Sequence, residues 1–196
     1  MKKYPALIVV LLFVFISSFK CKECADVPST QLDDSRNWFP LKGKTVLNYV
    51  TDNGTPRQFP ALVIDTTIQF NLCNNGLGSS FSEESIRVQL FLDSITGTPG
   101  NTQFITSELS RVNELNVVAT ITSPAVPHDR WNNIFSRVGN DQNIIPLNNY
   151  RLNNTTYPQV ILLKSANLNP LIDSIFLAKN HGIVGFKYKG VRHSLP

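Results

Sequence analysis

At 196 residues the chain is long enough for one ordinary domain and a leader. Its net charge of +4 comes from 18 Lys+Arg against 14 Asp+Glu, and Lys2, Lys3 and Lys20 stand in a first stretch that holds no acid. Without residues 1–20 the balance is 15 basic to 14 acidic, a net of +1. That excludes the basic stripe that nucleic acid requires, so no nucleic-acid partner is expected.

Lys2 and Lys3 precede the uncharged apolar run ALIVVLLFVFI (6–16), and the small residues Ser17 and Ser18 follow it. This is the layout of a secretory signal peptide. Eleven helical residues reach about 16 Å, half of a bilayer core, so the run is too short for a permanent span. A buried N-terminal strand is the plain alternative. No other stretch is apolar enough to span.

The three cysteines are Cys21, Cys24 and Cys73. An odd count in an exported chain leaves one thiol over. Lipidation of Cys21 uses it, and Cys24 and Cys73 are then free to pair in an oxidising compartment. Their disulfide closes a 50-residue loop and contributes about 2–4 kcal/mol. The C-x-x-C spacing of Cys21 and Cys24 also occurs in zinc and redox sites. Here a second such pair is missing and no histidine is near, so no metal site is expected.

The segment MKKYPALIVVLLFVFISSFKCKECAD resembles the leader of an exported bacterial lipoprotein of the Bacteroidetes type. In that class a cysteine a few residues past the apolar run receives the lipid and becomes the mature N-terminus. Cys21 is the matching position. Lys22 and Glu23 resemble the Lys-then-acid signal that sends such proteins to the cell surface. The resemblance implies a protein anchored in the outer membrane by its lipid, periplasmic or surface-exposed. Lys20 stands where that class carries a small residue. Cleavage near Ser18, giving a soluble secreted protein, is the alternative.

Residues 21–36 are polar and lack an apolar period, which suits a flexible tether. A single β-rich domain is expected over 37–196. TVLNYV (45–50) reads as a strand, followed by a turn at Asp52-Asn53-Gly54. QFPALVIDTTIQFNLC (58–73) holds one long strand or two short ones. NNGLGSS (74–80) breaks the pattern. SIRVQLFLDS (85–94) alternates Ile86, Val88, Leu90 and Leu92 against Ser, Arg, Gln, Phe and Asp, a strand with one buried face. After the loop TGTPGNT (96–102), QFITSELSR (103–111) and LNVVATITS (115–123) form a hairpin. PHDRWNNIFSRVGN (127–140) holds one short helix near 129–138, with Asp129 as N-cap. Strands return at 149–153, 159–165, 173–179 and 182–190. The last two flank the loop Asn180-His181-Gly182.

Turn signals recur every 8–15 residues, and no helical stripe appears. The fold class is therefore all-β or nearly so, an antiparallel sheet curved into an open barrel or sandwich. WFPLKGKTVLNYV (38–50), LNNTTYPQVILL (152–163) and IFLAKNHGIVGFKY (175–188) resemble the opening and closing sections of many Bacteroidetes lipoprotein domains. Tyr157, Val160, Gly182 and Val184 are the matching positions. This resemblance implies a fold and an address and brings no catalytic residues.

The chain lacks the G-x-S-x-G, H-E-x-x-H, phosphate-loop and dinucleotide glycine patterns. Its histidines are His128, His181 and His193. His128-Asp129 has the residue types of a base and its orienting acid. Adjacent side chains rarely face each other, so the pair reads first as a surface turn. His181 is expected at an exposed hairpin tip and His193 in a frayed C-terminus. The acid pairs Asp33-Asp34 and Glu83-Glu84 are sequence neighbours, not two carboxylates set across a cleft. Trp38, Trp131, Tyr49, Tyr150, Tyr157 and Tyr188 suit a core, or a platform for sugars. The expectation is a cell-envelope lipoprotein with a non-catalytic binding or structural β domain, not an enzyme, without cofactor, taking at most a small apolar or sugar ligand. The alternatives are a carrier of a lipid in a β cavity and a hydrolase using His128.

Overall fold

The computed structural model describes residues 25–26, 32–71, 79–91, 103–113, 116–122, 130–167 and 170–196. The expected signal peptide 1–20, the lipid site Cys21, the disulfide partners Cys24 and Cys73, and His128 with Asp129 lie outside the described residues. The chain divides into two units, residues 1–29 with 69–82 and residues 30–68 with 83–196.

In the first unit, strand β1 (Ala25–Asp26) pairs parallel with the start of β4 (Ser79–Phe91), Ala25 opposite Ser79.

The second unit is nearly all β. Its strands are β2 (Lys44–Thr51), β3 (Pro56–Asn71) as far as Ile68 and β4 from Glu83, then β5 (Gln103–Asn113), β6 (Asn116–Thr122), β7 (Arg130–Trp131), β8 (Ile144–Leu152), β9 (Thr155–Lys164), β10 (Ile172–Ala178), β11 (Gly182–Tyr188) and β12 (Val191–Ser194). They lie in the order β7-β6-β5-β4-β3-β2-β12-β11-β10-β9-β8. The described registers in this unit are antiparallel, as short turns between successive strands require.

Alternation sets the inner face. Tyr49 and Thr51 on β2, Phe59, Ala61 and Val63 on β3, and Ile86, Val88 and Leu90 on β4 are buried, while Lys44, Val46, Asn48 and Arg87 between them are exposed. One core cluster collects side chains from β2 through β11, including Phe104, Ile121, Trp131, Leu163 and Phe186. The sheet therefore curls around a common interior. Trp131 on β7 donates from Nε1 to the carbonyl of Lys164 on β9 at 2.8 Å, linking regions near the two ends of the strand order. The result is an open, curled antiparallel sheet.

The short helix α1 (Ile134–Arg137) lies within the expected window and puts Ile134 into the core. Its N-cap is Asn133, at a left-handed φ of 51°. The turn at 52–54 forms as expected, with Gly54 at φ 80° and Thr55 donating its N–H to Thr51 Oγ1 at 3.0 Å. Strand β8 starts earlier than the expected 149, at Ile144. Pro146 hides it in the sequence, yet β8 ends the sheet, where a strand tolerates the missing donor.

Two departures concern the ends of the chain. Described packed structure includes Leu32, ahead of the domain start expected at residue 37. Leu32 is buried, and a 3₁₀ helix (Asp33–Trp38) follows it. Leu32 N–H donates to Glu84 Oε2 at 2.9 Å, and the Arg36 guanidinium bridges Asp65 and Glu84. The C-terminus, expected to fray, forms β12 between β11 and β2, pairing Phe186 with His193 and His193 with Thr51.

A smaller cluster covers the second face of β8 to β11, with Leu152, Tyr157, Val160, Phe176, Ala178 and Val184 buried together. Between the pairs Phe176–Gly185 and Leu177–Ile183, β11 holds one extra residue, Val184. This bulge sends Val184 to the second face while Ile183 and Phe186 both join the main core.

Candidate functional site

The two described histidines have structural partners. His181 sits in the β10–β11 turn, exposed as expected, with Nδ1 3.0 Å from the Lys179 carbonyl and its ring edge-on to Tyr157 at 5.0 Å. His193, only 7% exposed, lies parallel to the Phe186 ring at 4.9 Å, with Nδ1 3.2 Å from the Val191 carbonyl. Burial pushes its pKa below the usual histidine value, outweighing the hydrogen bond to Val191. Both read as packed or turn residues.

The acids are likewise occupied. Glu84 shares Arg36 with Asp65, and Asp34 lies 3.6 Å from Lys179 Nζ. Asp173 pairs with Lys187 at 3.3 Å. Among the described residues no group of three His, Cys, Asp or Glu side chains is placed to hold a metal ion. No described helix is long and apolar enough to cross a membrane.

The interior is filled by aromatic rings. Tyr49 packs edge-on against Phe59 at 5.5 Å and Phe186 at 5.1 Å, and its hydroxyl donates to the Ile183 carbonyl at 2.7 Å. Complete burial pushes that phenol far above its ordinary pKa. Of the aromatics named from the sequence, Tyr49, Trp131 and Tyr157 are core residues, and Trp38, Tyr150 and Tyr188 are half-buried. An enclosed space lined by Phe39, Leu41, Leu47, Leu90, Ser107 and Ile183 amounts to about 10 Å³, room for one water at most.

A larger space lies on the outer face of the sheet. A groove of about 440 Å³ is lined by Lys44, Thr45, Val46, Pro60, Ala61, Leu62 and Phe91. Val46 lies directly opposite Pro60, and Lys44 opposite Leu62, so β2 and β3 make its floor. Phe91, the last described residue of β4, supplies one wall. Val46 is 49% exposed, a large apolar residue facing outward between Lys44 and Asn48. That volume falls within the range of small-molecule sites.

Sequence reasoning missed this groove. The available signal is the run FPALVI (59–64), apolar at six successive positions. A strand with one wet face alternates; a continuous run announces apolar residues on both faces. Phe59, Ala61 and Val63 take the core, leaving Pro60, Leu62 and Ile64 outside it. No protein-family model, curated protein or solved structure matches the chain.

Proposed function

We propose that the chain is a cell-envelope lipoprotein, anchored in the outer membrane through Cys21, whose β unit binds a ligand and does no catalysis. The observation that carries the binding half is the groove on the outer face of β2, β3 and β4. It offers exposed apolar side chains where a sheet surface is normally polar. The interior by contrast is filled with rings, and His181 and His193 serve turn and core. The anchor half rests on the leader pattern and on Cys21 following it. With Cys21 acylated, Cys24 and Cys73 pair.

Mass spectrometry of the mature N-terminus tests the anchor. The expected species begins at acylated Cys21, and alkylation labels two additional thiols after reduction. A chain that retains Met1, or one cleaved near Ser18 and unacylated, overturns the anchor. Two free thiols in unreduced protein overturn the disulfide.

A further inference from the structure

We propose that the outer groove takes a free, single-chain amphiphile with an anionic head, a fatty-acid-like carboxylate; this rests on the binding reading above and names its ligand class. The two ends of the groove differ. At one end stands Lys44, exposed, with Lys42 also exposed just before it. The chain bends between them at Gly43, at φ 62°, whose carbonyl accepts from Val63 N–H at 2.8 Å and so fixes this corner to β3. Neither lysine forms an ion pair among the described residues. The nearest acid along β3, Asp65, is taken by Arg36. Among the described residues two positive charges without an ion pair thus stand at one end, Lys44 in the lining and Lys42 beside it.

The floor is apolar. Val46 with Pro60, and Leu62 beyond them, form a continuous surface that Phe91 flanks. Beyond Val46 and Pro60 along the ladder, next to the groove, Asn48 lies opposite Gln58, both exposed and uncharged. Among the described residues, a cationic end followed by an apolar length describes a ligand with one anionic head and one hydrocarbon tail. The floor is one interstrand spacing wide, about 5 Å between β2 and β3, which matches a single hydrocarbon chain. The enclosed space of about 10 Å³ inside the sheet cannot hold such a tail.

Methyl NMR of the full chain in zwitterionic nanodiscs, reading Val46 and Leu62, reports on the groove itself and not on partition into lipid. Decanoate, decanol and decyltrimethylammonium share a tail and differ in head charge. The expected result is saturable shifts in the order decanoate, decanol, decyltrimethylammonium, with about tenfold between the extremes. Lys44→Glu, which leaves Lys42 as a counter-charge, levels the order, and Val46→Glu abolishes the shifts. Both positions are exposed, and unchanged amide signals elsewhere confirm that each variant is folded. Absence of saturable shifts, equal binding of the three heads, or an order that survives Lys44→Glu overturns the proposal. So do shifts produced by anionic nanodiscs alone, which assign the face to the bilayer. Failure here with acylated Cys21 in hand leaves the anchor standing and removes only this ligand class.

Discussion

The side chain of Asn153 donates from Nδ2 to Ser194 Oγ at 2.8 Å and to the Leu195 carbonyl at 2.9 Å. Asn153 occupies the turn between β8 and β9 at φ 52°. One residue therefore supplies the left-handed corner of that hairpin and ties it to the last strand. Asn153→Ala removes both bonds and forces a Cβ-bearing, non-Asn residue into the left-handed region, for a loss of about 2 kcal/mol. Asn153→Gly keeps the corner and loses only the bonds, about 1 kcal/mol. Urea unfolding of both variants checks the order. Equal losses would show that the bonds alone matter.

Leu152, the neighbour of Asn153, lies over Gly185 on β11. A Cβ at Gly185 would come within 3.0 Å of Leu152 Cδ2 and 3.0 Å of the His193 carbonyl. The carbonyl belongs to the β11–β12 ladder and cannot withdraw. Gly185→Ala is expected to destabilise by about 1–3 kcal/mol. Leu152→Ala removes one of the two clashes, so the double variant should lose less than the sum of the singles. Additive losses in a double-mutant cycle would contradict this packing.

His193 gives the fold a pH dependence. It faces Phe186 on β11 and Phe59 on β3, and Arg57 and Asp52 act on it electrostatically, Arg57 lowering and Asp52 raising its pKa. Burial, the largest cause, holds its folded pKa below the unfolded value near 6.5. The unfolded chain therefore takes up the proton first. The stability that the neutral ring contributes is present above about pH 6.5 and is lost as pH falls through the folded value. Only two residue pairs, His193 with Thr51 and Ser194 with Val50, join β12 to β2, so the loss falls on a short seam. Denaturation midpoints between about pH 5 and 8 should slope downward with acid in the native chain. In His193→Phe, which keeps a ring on Phe186, that part of the slope should vanish. An identical slope in both proteins would assign it to other groups.

Ser107 is fully buried, and its hydroxyl has no hydrogen-bond partner among the described residues. It borders the small interior space under Phe39 and Leu41. An unpaired buried hydroxyl costs about 1–3 kcal/mol of desolvation. Ser107→Ala should therefore hold or raise the melting temperature. A fall would mean that a bound water satisfies the hydroxyl.

The groove was legible only in part. Val46 and Lys44 alternate properly with Leu47 and Tyr49, so β2 reads as an ordinary half-buried strand, and nothing in it singles out an apolar residue facing outward. The run 59–64 carries the stronger signal, but a continuous apolar run does not say whether its outer side is covered. Phe91 shows the same ambiguity. It alternates in step with Ser85, Arg87, Gln89 and Asp93 and so belongs to the outer face of β4, yet its place in the groove depends on strand pairing. His193 shows how the opposite error arises. Three residues before the last, it reads as frayed, because local sequence does not reveal that β2, some 140 residues earlier, offers an open ladder.

The order of residues alone determined most of the strands and turns and the nearly all-β class, because period-two alternation and positive-φ Asn and Gly act over a few neighbours. It also set the basic and then apolar N-terminal run and the odd cysteine count, which are properties of composition and spacing. Only the tertiary structure decided that β12 joins β2 to β11, that Arg36 fastens Leu32 and its 3₁₀ helix to β3 and β4, and that Lys44, Val46, Pro60, Leu62 and Phe91 share one groove. Those relations depend on which strands pair and how the sheet curls. Such long-range pairing is set by the collective burial of the core, which no local window of sequence contains.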